Sequence, residues 1–260
     1  MVRVVPDILA RIVDHKRAEL VRDRARRGEL ERRAADRNSF RDFRRALTAN
    51  PPSIIGEIKK ASPSKGILAD QFDPAGIARE YSAGGAAALS VLTDREFFQG
   101  SLADLAAARD GVSLPVLRKD FTLDELHVIE AAAHGADAIL LIAALLEESA
   151  MRRLRELAAE YNMTALVEVH DAAQLELALG SGAEIVGVNN RNLHTFEVTL
   201  ETSLQLVEKI PGNVVKVSES GINARTDVAR LTAAGFQAFL VGEHLMKSAN
   251  PAAALKELRS

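Results

Sequence analysis

Charged or polar side chains interrupt, or directly follow, several short apolar runs in this 260-residue chain. A charge at such a position is either buried or faces a cavity, and an isolated buried charge is costly to remove from water. Carboxylates and lysines that meet in one cavity can exchange protons with a substrate, which is general acid–base catalysis. Six residues have this placement: Glu57, Lys59, Lys119, Glu168, Asn189 and Glu219.

Two explanations compete for these six residues. A network of ion pairs that fills the interior without catalysis explains any one of them as well as an active site does. The six are spread over five separate apolar runs, however, and their combination favours an active site. Catalysis by a cysteine or serine nucleophile has little support, because the chain has no Cys and no G-x-S-x-G segment. Metal binding has little support, because the chain has no H-x-H or H-x-x-x-H pair. No metal site is therefore predicted; His170 and His244 are the strongest candidates for ligands.

Two small-residue turns late in the chain indicate an anion. Ser220–Gly221 and Gly242–Glu243 each follow an apolar run, and each is predicted to stand immediately before a helix. Backbone N–H groups in such turns, aided by a helix N-terminus, can hold a phosphate. Either turn alone is weak evidence, since glycine is ordinary there. Both together, after the last two strands of a barrel, indicate a phosphorylated substrate.

These residues belong to a repeat on the order of 26 residues, in which a short apolar run alternates with a helical pattern. Each run is continuous rather than alternating, as expected for parallel strands covered on both faces. The predicted strands are 53–58, 87–92, 115–117, 138–142, 165–169, 185–188, 214–217 and 238–241. The predicted helices are 74–83, 102–108, 123–133, 147–162, 172–180, 200–209, 224–233 and 251–258.

Eight such units predict an α/β fold, a closed (β/α)8 barrel or TIM barrel, for which about 250 residues are typical. An open doubly wound sheet is less favoured, because no G-x-G-x-x-G or G-x-x-x-x-G-K-[ST] segment occurs. Barrel chemistry collects at the C-terminal ends of the strands. The six polar residues are expected to meet there.

The first 50 residues precede the repeat as a helical extension, and residues 51–260 form the barrel of the same single domain. A helix is predicted from Asp7 to about Ala35, packed over one end or one side of the barrel. Its arginines alternate with acidic residues. That pattern is typical of a solvated helix face rather than of a nucleic-acid-binding surface.

Composition narrows the partners and the compartment. Hydrophobic residues make up 47% of the chain and the formal net charge is −3. No apolar run approaches the roughly 18 residues of a membrane helix, and the first residues contain no apolar signal core. We therefore expect a cytoplasmic protein with no nucleic-acid or membrane partner. The lack of Cys excludes disulfides.

The motifs resemble those of the indole-3-glycerol-phosphate synthase family, over nearly the whole chain. The most specific segment is Glu57–Gly66, which is similar to the family pattern E-x-K-x-x-S-P-S-x-G. Glu243–His244 departs from it, because some members have small hydroxyl residues there, and this favours a backbone contact to phosphate. Similar segments follow at 91–94, 97–101, 117–121, 166–170, 187–193, 218–222 and 239–246.

The resemblance implies a (β/α)8 barrel that converts 1-(2-carboxyphenylamino)-1-deoxyribulose 5-phosphate into indole-3-glycerol phosphate, carbon dioxide and water. It implies a phosphorylated small molecule as substrate, with no cofactor and no metal. The oligomeric state stays open, with a monomer favoured.

The resemblance also assigns roles to residues. Lys119 is similar to the general acid, and a neighbouring lysine in a desolvated pocket would bring its pKa towards the working pH. Glu168 resembles the late-acting base, and Glu57 would orient the lysines. Lys59 would either anchor the substrate or donate the proton for dehydration. The catalytic set also includes Asn189 and Ser220, and the substrate-binding set is Ser62, Pro63, Ser64, Arg191, Glu219, Gly221, Leu240, Gly242 and Glu243.

Two of these assignments have a direct physical reason. The guanidinium of Arg191 is suited to gripping a substrate carboxylate with two hydrogen bonds. Pro63 would stiffen the first loop, and Gly66 is the predicted hinge on which that loop closes over the substrate to exclude water.

Two other functions are compatible with a phosphate-binding barrel. Phosphoribosylanthranilate isomerase chemistry needs a Cys/Asp acid–base pair, and this chain has no Cys. A catalytically inactive barrel that only senses phosphorylated metabolites is the second. It would have no need of Lys119, Glu168 and Glu57 together.

Overall fold

The computed structural model describes residues 7–63, 66–68 and 72–260. Eight parallel strands close into a barrel, in which each strand pairs with the next and the eighth pairs with the first. Each of the eight predicted strands is confirmed to within two residues. The strands are β1 Ser53–Ile58, β2 Ala88–Leu92, β3 Val116–Lys119, β4 Ala138–Ile142, β5 Thr164–Val169, β6 Ile185–Asn189, β7 Val215–Glu219 and β8 Ala238–Val241.

The helices predicted after the strands are confirmed as well, and the one predicted at 200–209 ends in a 3₁₀ turn, Val207–Lys209. The first four α-helices are α1 Asp7–Asp23, α2 Arg27–Ala35, α3 Phe43–Thr48 and α4 Pro74–Ala83. The others are α5 Arg95–Phe98, α6 Leu102–Asp110, α7 Glu125–Ala133, α8 Glu148–Glu160, α9 Ala172–Gly180, α10 Glu201–Leu206, α11 Arg225–Ala234, α12 Glu243–Met246 and α13 Pro251–Arg259.

The strands bury apolar side chains on both faces, which explains their continuous apolar runs. In β4, Leu140 and Ile142 point into the barrel, where they pack with residues of the other strands. Ile139 and Leu141 point outward into the layer between the strands and the helices. This alternation follows from the two-residue period of a strand. The inner layer leaves the C-terminal ends of the strands free for polar groups.

The N-terminal extension differs from its prediction in one respect: the single helix to about Ala35 is wrong. A 3₁₀ turn, Arg24–Arg26, separates α1 from α2, and the unpredicted helix α3 follows them. Leu9 of α1 lies at the mouth of the barrel, at the C-terminal ends of the strands. Helix α2 packs along α7 on the side of the barrel.

Helix α3 closes the opposite end of the barrel. Phe43 and Leu47 are fully buried within the inner apolar cluster. Asp42 caps the helix by accepting a hydrogen bond of 2.8 Å from the backbone N–H of Arg45. The extension therefore reaches from the mouth of the barrel to its base. Helix α3 closes the base, whereas α1 forms only part of the wall of the cavity at the mouth. Among the helices of the described residues, none is long and apolar enough to cross a membrane.

Candidate active site

A cavity of about 570 Å³ opens at the C-terminal ends of the strands. Ser64 lies outside the described residues, and the structure places the other predicted site residues together along the wall of this cavity. They are Glu57, Lys59, Ser62, Pro63, Lys119, Glu168, Asn189, Arg191, Glu219, Ser220, Gly221, Leu240, Gly242 and Glu243.

Lys119 stands at the centre of the charged residues. Its Nζ atom is 3.5 Å from a carboxylate oxygen of Glu168 and 3.5 Å from one of Glu219. Glu57 forms an ion pair with Lys59 at the edge of the group. Glu57, Lys119, Glu168 and Glu219 come from β1, β3, β5 and β7, and alternate strands supply each layer of side chains in such a barrel. The four residues thus form a charged top layer above the apolar interior.

Two glycines on the intervening strands make room for the carboxylates. A Cβ atom added at Gly187 in β6 would lie 2.0 Å from Oε1 of Glu219. One added at Gly242, directly after β8, would lie 2.3 Å from Oε1 of Glu57. Both distances are far below contact distance, so any larger residue would displace Glu219 from Lys119 and Glu57 from Lys59.

The pKa of Lys119 differs from the sequence-based expectation. Burial alone would lower the pKa of this lysine, but the charges of Glu219, Glu168 and Glu57 outweigh burial and raise it above its ordinary value. The expectation that desolvation brings this pKa towards the working pH is therefore wrong. The amine stays protonated at neutral pH, which makes it a reliable positive charge and a proton donor that needs a basic acceptor.

Glu219 has the opposite electrostatic environment. Burial, with the nearby carboxylates of Glu168 and Glu57, raises its pKa to about 8 despite the opposing charge of Lys119. Glu168 differs because the charge of Lys119 and a hydrogen bond from Asn189 outweigh its burial and lower its pKa. Of the two carboxylates beside Lys119, the surroundings favour the ionised form of Glu168 and the protonated form of Glu219 at neutral pH.

Glu219→Gln tests this protonation. Because the native pKa lies above the unfolded value of 4.5, Glu219 contributes most to stability below pH 4.5 and loses that contribution as the pH rises through about 8. Glutamine mimics the protonated form at every pH. Between pH 5 and pH 9 we expect the variant to gain more than about 1.4 kcal/mol of unfolding free energy relative to the unsubstituted enzyme. Urea denaturation at the two pH values measures this, and an unchanged difference contradicts it.

The two predicted anion-binding turns differ in their surroundings. Ser220 and Gly221 both have left-handed backbones, with φ of 66° and 78°, and the Asn190 amide donates a 3.0 Å hydrogen bond to the Ser220 carbonyl. The helix after this turn begins only at Arg225, so the prediction that it follows immediately is wrong here. It is confirmed for Gly242, since Glu243 is the first residue of α12.

One part of the cavity wall is apolar, and the sequence analysis did not place this part. Helix α1 contributes Ile8, Leu9 and Ile12 to the wall. The rings of Phe98 and Phe121 also line it, with centroids 6.2 Å apart. The apolar face of α1 is visible in the sequence, but no local pattern shows that it covers the barrel mouth. Such a surface suits a flat aromatic group.

Lys16 holds α1 at the mouth of the barrel through buried ion pairs. Its side chain is 6% exposed, and Nζ lies 2.9 Å from Oδ2 of Asp94 and 2.8 Å from Oδ1 of Asp120. Asp120 directly follows Lys119, and it also accepts a 3.1 Å hydrogen bond from Arg118. The same buried cluster therefore holds the apolar wall and the strand end that carries the central lysine.

Lys16→Met should lower the free energy of unfolding by about 3 kcal/mol, because it removes the cation that pairs with the buried Asp94 and one of the two that pair with Asp120. Arg17→Met is the matched control on the same helix. Its side chain is 72% exposed and only approaches Asp14 at 4.0 Å, so we expect a change below about 0.5 kcal/mol. Equal losses in the two variants, measured by urea denaturation, would contradict a stabilising buried ion-pair cluster of Lys16, Asp94 and Asp120.

The fold and the cavity together define a (β/α)8-barrel enzyme with a cavity lined by charged side chains at the C-terminal ends of its strands. The family model for indole-3-glycerol phosphate synthase matches residues 9–258. The chain therefore belongs to the indole-3-glycerol phosphate synthase family, as its motifs predicted. It is a decarboxylating lyase that closes the indole ring of 1-(2-carboxyphenylamino)-1-deoxyribulose 5-phosphate, with loss of carbon dioxide and water.

Individual relatives agree with this family. The chain is 49% identical over 258 residues to the indole-3-glycerol phosphate synthase of Aromatoleum aromaticum, covering 97% of this chain and 98% of the relative. It is 48% identical, with the same coverage, to that of Acidithiobacillus ferrooxidans. Among solved structures, a thiamine phosphate pyrophosphorylase from Pyrococcus furiosus has 18% identity and a TM-score of 0.63, covering 84% of this chain and 96% of its own. That likeness shows the fold alone.

Proposed function

We propose that Lys119 acts as general acid and Glu168 as general base when this cavity closes the indole ring. One observation carries the assignment. Lys119 lies 3.5 Å from Glu168, on the same cavity wall as both small-residue turns, with opposite protonation states favoured at neutral pH. An acid and a base held in contact can act on one substrate in succession.

The steps follow from the chemistry of the substrate. Lys119 donates a proton to the ketone oxygen as the aromatic ring carbon attacks the carbonyl carbon, which forms the new carbon–carbon bond and a hydroxyl group. The carboxylate then leaves as carbon dioxide. The hydroxyl leaves as water after protonation, and Glu168 removes a proton from the ring system to restore aromaticity. Orientation supplies much of the rate, because the substrate must fold for ring and ketone to meet.

The remaining residues support these two. Glu57 is proposed to orient Lys59, which it contacts, and Lys59 either anchors the substrate or donates the proton for dehydration. Asn189 donates to Glu168 and is proposed to contact the reacting centre with Ser220. Ser62, Pro63, Ser64, Leu240 and Glu219 are proposed to contact the bound substrate.

The two ends of the substrate have separate binding groups in this proposal. Arg191 grips the substrate carboxylate. Its guanidinium donates one 3.3 Å hydrogen bond to the Phe196 carbonyl, which leaves further N–H groups for a ligand. Backbone N–H groups of Ser220–Gly221 and Gly242–Glu243 hold the phosphate. The Glu243 carboxylate supports a backbone contact there, because it pairs with Lys247 at 2.6 Å.

We also propose that residues 1–50 and 51–260 form one domain, which acts in the cytoplasm as a monomer without nucleic-acid or membrane partners. The continuous packing of α1, α2 and α3 on the barrel supports a single domain. The net charge of −3 supports the absence of a nucleic-acid partner. Light scattering of the full chain, of 28.1 kDa, measures the oligomeric state.

The reaction is tested by adding 1-(2-carboxyphenylamino)-1-deoxyribulose 5-phosphate to the purified full chain and recording indole fluorescence together with carbon dioxide release. We expect both products in equal amounts. Binding of the substrate without either product would instead support an inactive barrel that senses phosphorylated metabolites.

A further inference from the structure

His170 lies outside the wall of the active-site cavity but touches the proposed base. It stands directly after β5, and its Nε2 atom is 3.5 Å from Oε1 of Glu168. The His170 side chain is 12% exposed. Nε2 itself is fully buried and, among the described residues, has no hydrogen-bond partner. An unpartnered buried nitrogen that faces a carboxylate needs a physical explanation.

Three hydrogen bonds determine which ring nitrogen carries the proton. The backbone N–H of His170 donates to Oε1 of Gln174 at 3.0 Å, and the Gln174 Nε2 atom donates to Asp171 at 3.0 Å. These contacts fix the orientation of the Gln174 amide. His170 Nδ1 lies 3.2 Å from the same Oε1, an acceptor, so Nδ1 must be the donor. In the neutral ring, Nε2 therefore carries a lone pair.

A lone pair on Nε2 and the ionised carboxylate of Glu168 then face one another with no proton between them. Two acceptors in contact repel each other, and the uptake of one proton converts this repulsion into a hydrogen bond. A protonated imidazole would have the opposite effect. It would donate to Glu168, hold the carboxylate ionised and make it a weaker base.

We propose that His170 is a positioning residue for Glu168, and that its neutral ring presents Nε2 as the acceptor for the proton that Glu168 takes from the substrate. This inference rests on the proposed role of Glu168 as base. The proton moves from the substrate carbon to Oε1 of Glu168 and is then shared with Nε2. It passes to water after the product has left, which restores the carboxylate and the neutral ring.

The other groups around Glu168 differ in whether they can accept its proton. Lys119 from β3 is protonated in the resting enzyme, and it becomes a competing acceptor only after it has given its proton to the ketone oxygen. Glu219 from β7 favours the protonated form at neutral pH, so it is a poor acceptor for a further proton. Glu57 from β1 affects Glu219 only through its negative charge. Asp171, beside His170, accepts from Gln174 and so secures the orientation of the ring.

The tautomer is tested without turnover by ¹⁵N NMR of the full chain labelled at histidine. In the neutral ring we expect a protonated Nδ1 and an unprotonated Nε2 for His170, assigned by comparison with His170→Gln. A neutral ring protonated at Nε2 instead would overturn the inference, because that nitrogen could not accept a proton.

The kinetic test uses single-turnover rates of indole formation with saturating enzyme, together with steady-state measurement of KM. Glutamine at position 170 can donate to Glu168 but cannot take its proton, so we expect His170→Gln to be about 10-fold slower at pH 8, with KM within twofold. His194→Gln, at an exposed loop position, is the control and should behave as the unsubstituted enzyme.

A double-mutant cycle separates the inference from the proposed function. In a Glu168→Gln background, His170→Gln should cause no further loss, because His170 acts only through that carboxylate. If Glu168→Gln is about 10³-fold slower while His170→Gln has an unchanged rate, the inference alone is overturned. If Glu168→Gln keeps full activity, the base assignment is overturned and the inference with it.

Discussion

Lys119→Ala should slow turnover by about 10⁴-fold, which is about 5.5 kcal/mol of activation free energy, while the chain stays folded and binds its substrate. The ammonium group is the proposed proton donor to the ketone oxygen, and alanine offers neither a proton nor a positive charge. The carboxylates left behind can take up protons, as Glu219 already does, so the barrel should survive. Turnover is measured by indole fluorescence, substrate affinity by calorimetry, and folding by circular dichroism.

Lys119→Arg is the matched control for this prediction. Arginine keeps the positive charge among Glu168, Glu219 and Glu57 but does not give up a proton in proteins. If charge alone were needed, this variant would retain much of the activity. We expect it to be nearly as slow as Lys119→Ala. Near-normal turnover of Lys119→Ala would refute the assignment of the general acid altogether.

Glu168→Gln should slow turnover by about 10³-fold, within the range expected for loss of a general base. The substitution keeps the size and polarity of the side chain but removes the ionised carboxylate. Because Glu168 is proposed to act after ring closure, an intermediate should accumulate in single-turnover experiments, with substrate affinity nearly unchanged. Rapid-quench sampling with product chromatography detects such an intermediate.

Glu219→Gln is the matched comparison, since both carboxylates lie 3.5 Å from the same lysine. Glu219 is protonated at neutral pH, so its amide counterpart should slow turnover by less than about 10-fold. A large effect of Glu219→Gln with a small effect of Glu168→Gln would transfer the base role to Glu219. Weakened binding alone in Glu168→Gln would exclude a base role for that residue.

Much of the barrel could be predicted because its strands are buried on both faces. Continuous apolar runs such as 138–142 then stand out from the amphipathic helices between them. The polar site residues could be predicted for a related reason. Glu57 or Glu168 interrupts an apolar strand near its end, and in a closed parallel barrel all such ends meet at one mouth.

The electrostatics of the site could not be predicted in the same way. The pKa of Lys119 depends on how many carboxylates approach it, and those come from strands that are distant in the chain. The sequence shows that a lysine and several glutamates share a cavity. It does not show whether desolvation or charge is the larger effect, because that balance is decided by distances of a few ångströms.

The amino-acid sequence by itself determined the repeat of strands and helices, the family and the set of polar residues at the mouth, since these follow from local patterns and specific motifs. The tertiary structure alone decided where the N-terminal extension lies, because the clamp between Lys16, Asp94 and Asp120 joins segments with no local relation. It also decided that the surroundings of Glu219, rather than those of Glu168, favour a protonated carboxyl group, and that His170 faces Glu168. Burial and distance set proton affinities, and only the folded chain fixes both.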